Sequence, residues 1–246
     1  MEVPVVLGAT ILGLVAGGCS IALAGWIPRF LEAQWSVDED GVGEGLGVFL
    51  AALSRMKPPS TWASWSTFVV CCTLLAGAGL LAAWRWDSPA TIGLFVLYAA
   101  MLATCALVDA EHQIIPDVIV LPLLWGGLLA NCAGTFVPLQ SAVIGAVTGY
   151  SALWGLNLLF QLTAGQSGMY KGDFKMFAAI GAWSGAPALL AVLTTALLLF
   201  ALVAGVSLMA RGAGRRETPF GPYLAIAGVA VLALCDTASL FGHLLP

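Results

Sequence analysis

The chain has 246 residues, of which 60% are hydrophobic and only 9% are Asp, Glu, Lys or Arg, and its mean hydropathy is +0.97. So little polar surface cannot clothe a water-soluble domain of this length, and the composition predicts an all-α polytopic integral membrane protein. The net charge is −4 and the nine basic residues form no cluster that would hold a nucleic-acid backbone, so nucleic acid is excluded as a partner.

Residues 3–27 form the first apolar run. Only Glu2 precedes it, with no Lys or Arg, so the positive n-region of a secretory signal is missing and the run reads as a retained membrane helix. A bilayer core of about 30 Å needs roughly 20 helical residues. Runs at 67–84, 90–108, 118–136, 139–162, 187–209 and 222–243 fit that length. The stretch 174–184 is shorter and ends before Gly185-Ala186-Pro187. At about 1.5 Å per residue it covers only about half the membrane, as a short span or one arm of a re-entrant hairpin.

Charge arbitrates between these, because Lys and Arg collect in cytoplasmic loops. With 174–184 counted as a crossing there are eight spans, the N-terminus is outside, and loops 28–66, 109–117, 163–173 and 210–221 are inside. Arg29, Arg55, Lys57, Lys171, Lys175, Arg211, Arg215 and Arg216 then fall on or next to the cytoplasmic side, and Arg85 alone falls outside. The chain reads as a single membrane domain over 1–246, with 28–66 as the cytoplasmic loop between spans one and two. Within that loop, Ser36–Gly41 and Lys57–Ser60 read as turns around a short apolar segment, 46–53. No internal repeat of the inverted transporter kind is visible.

Six cysteines, Cys19, Cys71, Cys72, Cys105, Cys132 and Cys235, lie inside apolar runs with no C-x-x-C pair. Neither a disulfide framework nor a zinc site follows, and they read as small core residues. No metal or other cofactor is expected.

Two carboxylates stand out. Asp109 follows the apolar run 96–108, and Asp173 closes the loop from Gly165 to Gly172. The topology sets both at cytoplasmic helix ends, where they can meet. Two partly desolvated carboxyl groups a few ångströms apart do not both ionise readily; they share a proton and form an acid/base pair. One can then activate a water against a peptide carbonyl while the other hydrogen-bonds the carbonyl oxygen. On position alone, two solvated helix-end aspartates are an equal alternative, since helix N-termini welcome an acid such as Asp173.

The local sequence separates these readings. Residues 107–122, Leu-Val-Asp-Ala-Glu-His-Gln-Ile-Ile-Pro-Asp-Val-Ile-Val-Leu-Pro, and 169–181, Met-Tyr-Lys-Gly-Asp-Phe-Lys-Met-Phe-Ala-Ala-Ile-Gly, resemble the two aspartate motifs of type IV prepilin peptidases. Pro219-Phe220-Gly221-Pro222 is similar to that family's Pro-Phe-Gly-Pro signature, and the resemblance runs from about residue 90 onward. It implies that Asp109 and Asp173 are the catalytic pair, with Gly172, Lys175, Pro116 and Asp117 as supporting motif residues. It also implies a substrate: the short basic leader of a prepilin or pseudopilin, cut after a glycine at the cytoplasmic face of a bacterial inner membrane.

Around that pair, Glu111 and Asp117 can attract a basic leader, while Asp117, with Pro116 before it, reads more simply as the cap of span four. Lys171 and Lys175 can hold lipid phosphate or tune Asp173, or serve only as cytoplasmic-side charges. His112 reads as a solvent-facing loop residue and Asp236 as reaching water at the outer end of its span. Trp26, Trp84 and Trp86 suit interfacial belts.

Two departures from the family pattern are visible. Tyr170 stands where the Gly-x-Gly-Asp motif has its first glycine. Loop 28–66 lacks the two C-x-x-C pairs of the zinc domain that many members associate with N-methylation, so the resemblance implies a peptidase without that module. The rival reading from another class is a proton- or ion-coupled transporter in which the same two aspartates bind the coupling ion.

Overall fold

A computed structural model describes residues 3–40, 65–165, 170–211 and 219–235. These residues form eight helices and no strand: α1 (Val3–Asp40), α2 (Trp65–Arg85), α3 (Pro89–His112), α4 (Asp117–Cys132), α5 (Leu139–Ala164), α6 (Lys171–Ser184), α7 (Ala186–Arg211) and α8 (Gly221–Leu234). Five of them, α1, α2, α3, α5 and α7, contain stretches long and apolar enough to cross a membrane. The chain is an all-α polytopic membrane protein.

Two boundaries differ from the hydropathy reading. Helix α1 does not end at residue 27 but continues through Pro28 to Asp40, so residues 36–40 are helical rather than a turn. Proline removes one backbone donor and crowds the carbonyl a turn earlier, which weakens a helix without obliging it to stop. Trp26 and Phe30 stack across the proline with ring centroids 5.0 Å apart. The apolar segment 46–53 and the turn 57–60 lie outside the described residues. Helix α4 stops at Cys132, short of 136, because Asn131 takes over the chain: its Oδ1 accepts the N–H groups of Phe136 and Val137 at 3.0 and 3.1 Å.

The centre of the molecule is α6. From Phe174 to Ser184 every residue but the intermediate Lys175 is buried, and the helix packs against α5 and α4 and touches α7 and α8. Fourteen residues rise only about 21 Å. Its backbone can lie close to α5 because Gly181 faces Gly145: a Cβ on either would run into the carbonyl of the other. In lipid, where apolar side chains gain little by leaving their solvent, such close packing holds helices together.

The far end of α6 is clamped by polar groups. Asn131 Nδ2 donates to the carbonyls of Ala182 and Trp183 at 2.9 and 3.3 Å, and Trp183 Nε1 donates to Leu123 O at 2.8 Å. Around Trp183 sit Tyr98 and Phe136, with centroids at 4.9 and 5.7 Å. Trp86, directly after α2, packs on Phe95 and Phe136 of this cluster. With one end of α6 fixed in this way, its first turn is presented to the ends of α3 and α8.

Candidate active site

Asp109 lies in the last turn of α3. That turn closes on Gln113, whose φ of 54° makes it the single non-glycine in the left-handed region among the described residues. Its N–H returns to Asp109 O at 2.9 Å, a helix C-cap made without glycine. The Asp109 side chain turns inward and is 4% exposed. Its Oδ2 accepts the backbone N–H of Gly221, the first residue of α8, at 2.9 Å.

Asp173 is the third residue of α6 and is 3% exposed. Tyr170 precedes the helix with extended backbone, φ −85° and ψ 148°; its N–H donates to Asp173 Oδ2 at 3.3 Å and its carbonyl accepts the Asp173 N–H at 3.1 Å. An acid three residues into a helix makes this local exchange readily. Burial pushes the Asp173 carboxyl up to about 7; the nearby charge of Asp109 adds to the rise, and the Tyr170 N–H opposes it.

The aspartates, 64 positions apart in sequence, therefore lie within electrostatic reach of each other at the same end of the helix cluster, each withdrawn from solvent and each held by a backbone amide. Two carboxyl groups so placed can divide one proton between them, the requirement for general acid/base work on a water and a carbonyl. Among the described residues no group of three or more His, Cys, Asp or Glu side chains could hold a metal ion.

The supporting residues take up distinct places. At Gly172 an added Cβ would come 2.8 Å from Ile115 Cβ, so the absence of a side chain lets the start of α6 pack on the α3–α4 linker. Pro116 is the N-cap residue of α4. Asp117, expected to cap that helix, makes no cap hydrogen bond; it is the first helical residue and its carboxylate meets Lys175 at 2.7 and 2.8 Å. The reason is reach: the long Lys175 side chain extends from the second turn of α6 to the start of α4. His112 pairs with Glu111 at 3.5 Å on the exposed rim and does not join the aspartates. Cys71, Cys72 and Cys105 are buried as expected, whereas Cys19 and Cys132 are exposed on their helices. Arg211, Arg215, Arg216 and Asp236 have no described side chains.

The contact that sequence reasoning missed is the one from Gly221. Pro-Phe-Gly-Pro was visible as a signature, but its chemistry depends on a partner 112 residues away.

Residues 95–206 match the model of the type IV leader peptidase family. The prepilin leader peptidase/N-methyltransferase of Neisseria gonorrhoeae is 44% identical over 104 residues, covering 42% of this chain and 35% of that protein. The protein of the same description from Aeromonas salmonicida is 47% identical over 105 residues, 42% of this chain and 36% of that one. The one from Pseudomonas aeruginosa is 44% identical over 96 residues, 39% and 33%. The matched stretch thus spans about a third of the length of these curated relatives. No solved structure matches. Asp109 and Asp173 both fall inside the matched residues, so both carboxylates lie in the part of the chain, residues 95–206, that is similar to the type IV leader peptidase family.

Proposed function

We propose that this chain is a membrane-embedded aspartyl endopeptidase that cleaves the leader of type IV prepilins or pseudopilins at the cytoplasmic face of a bacterial inner membrane. The observation that carries the reading is the placement of Asp109 and Asp173: two buried carboxyl groups from distant segments, within electrostatic reach of each other and each held by a backbone amide. One carboxylate takes a proton from water as it attacks the scissile carbonyl and later passes that proton to the leaving amine, while the protonated partner donates its proton to the carbonyl oxygen and recovers it as the C–N bond breaks.

The orientation rests on charge, eight of nine basic residues being assigned to the side that bears the aspartates. Glu111 stands at the same end and suits a basic leader, whereas Asp117 is already engaged by Lys175. The relatives are named for two activities. The reading here covers the peptidase, since the sequence has no C-x-x-C pair from which a zinc module could be built. Placement of both aspartates in terminal helical turns favours this over an ion-coupled transporter, which needs carboxylates near the membrane midplane.

The test is cleavage of a prepilin from the same host in membranes holding wild type, Asp109→Asn or Asp173→Asn at equal expression. Wild type is expected to cut and both variants to fail. Activity retained in either variant, or none in wild type across the host's prepilins, overturns the proposal.

A further inference from the structure

The two carboxyl groups are not held alike. Asp173 Oδ2 accepts an N–H from Tyr170, three residues away, at 3.3 Å. Asp109 Oδ2 accepts a shorter bond, 2.9 Å, from a backbone amide that α8 brings in from 112 residues away. That amide belongs to the first helical residue of α8, so it has no partner within its own helix and points outward with the positive end of the backbone dipoles. Contact at this distance needs the bare glycine: a Cβ at 221 would lie 2.5 Å from Asp109 Oδ2 and 2.9 Å from its Cγ. An N–H can donate to a carboxylate oxygen but gains nothing from the O–H of a protonated one, so this arrangement favours charge on Asp109.

Resting on the aspartyl peptidase reading, we infer that Gly221 is a positioning residue whose amide makes Asp109 the ionised member of the pair, the base that activates water, and leaves the shared proton on Asp173, the acid. The other charged and titratable groups nearby do not reverse this order. On α3 they are Cys105, buried one turn before Asp109, and the mutually paired Glu111 and His112 at the rim. On α6 Lys175 is taken by Asp117 of α4, and Lys171 is exposed in the first turn. Helix α8 carries no Asp, Glu, Lys, Arg or His, its one titratable side chain being Tyr223. The raised position of Asp173 agrees with a proton held there.

In the reaction, Asp109 takes a proton from water as the water oxygen bonds to the scissile carbonyl carbon. Asp173 gives its proton to the carbonyl oxygen. When the C–N bond breaks, the proton from Asp109 goes to the leaving amine and Asp173 recovers its own, so the pair ends as it began.

The test uses the full chain in its membrane and no prepilin. Dicyclohexylcarbodiimide, an apolar reagent that enters from lipid, modifies protonated carboxyl groups, and peptide mapping by mass spectrometry locates the adduct. At pH 6 wild type is expected to carry at least about threefold more label on Asp173 than on Asp109, as an unequally shared proton requires. Gly221→Ala is expected to bring label onto Asp109. Gly228→Ala, which crowds the same helix at the Tyr98 hydroxyl instead, is expected to keep the wild-type pattern. Label chiefly on Asp109, equal label on both, or no label on either in wild type overturns the assignment, as does a pattern unchanged by Gly221→Ala. Because no prepilin is present, failed cleavage would count against the peptidase reading without changing this result. For a wild type that does cut, the acidic limb of kcat/KM is expected to move to higher pH in Gly221→Ala while KM stays within about twofold, since the amide acts on Asp109 and not on substrate binding.

Discussion

The ammonium of Lys175 lies 2.7 and 2.8 Å from the two oxygens of Asp117, joining the second turn of α6 to the first turn of α4 across 58 residues. Both side chains are partly exposed, 35% and 54%, so water screens the pair and its contribution to global stability is small, roughly 0.2–1 kcal/mol. Its position gives it another consequence. It spans the α3–α4 linker on which Gly172 packs and lies two residues beyond Asp173.

Lys175→Met and Asp117→Asn are therefore expected to lower prepilin cleavage about tenfold while the melting temperature changes little, because a shift of under 1 Å at a reacting group costs far more in rate than an exposed ion pair gives in stability. The exchanged pair, Asp117→Lys with Lys175→Asp, should recover most of the loss. Cleavage assays beside thermal melts of the four proteins decide it; single variants as active as wild type would reduce the pair to a surface contact.

Tyr170 occupies a glycine position of the family motif, yet its φ of −85° is open to any L-residue and its side chain is 53% exposed. What Asp173 receives from it is a backbone N–H. Tyr170→Ala should cleave within about threefold of wild type, and Tyr170→Pro, which keeps a compatible φ but has no N–H, should lose at least about tenfold. Equal activity in the two variants would remove the amide from the account.

Burial of Asp173 sets a pH dependence whose sign follows from linkage. Its folded value, about 7, lies above the 3.8 of an ordinary aspartate, so the folded state holds the proton more tightly. The stability it contributes is complete below about 4 and is lost as pH rises through about 7. Asp173→Asn, neutral at every pH, is expected to melt higher than wild type at pH 8, by an amount on the order of 1–4 kcal/mol, and level with it near pH 4. On the proposed mechanism cleavage needs the proton on Asp173, and it should fall as pH rises above about 7. A melting difference independent of pH would contradict this.

Asn131 makes four hydrogen bonds with one side chain, two to the end of α6 and two to the chain after α4. Asn131→Ala leaves those buried groups unpaired and is expected to cost about 2–4 kcal/mol, read as earlier loss of the fold on heating in detergent. Asn131→Asp should fail too, because a carboxylate cannot donate to the Ala182 and Trp183 carbonyls. Full stability of the alanine variant would show that packing alone holds α6.

Much of this protein is legible without coordinates. Apolar runs predict helices because a backbone in hydrocarbon must satisfy its own hydrogen bonds, and the eight runs correspond to eight described helices. Boundaries were read less well where a side chain overrode hydropathy, as when Asn131 ends α4 early, or where a proline is accommodated, as in α1. Asp109 and Asp173 could be singled out because carboxylates are costly beside apolar runs and their flanking motifs resemble a known family.

Which groups meet those carboxylates is a matter of tertiary structure alone. Composition and local pattern determine that helices form and roughly where they start, because those depend on neighbours a few residues away. That Lys175 finds Asp117 rather than lipid, that Trp86 joins the aromatic cluster, and that Gly221 turns its amide on Asp109 depend on how helices distant in sequence are docked. Docking is set by where glycines permit backbones to touch and where long side chains reach, and one sequence records the means of both but not the partners.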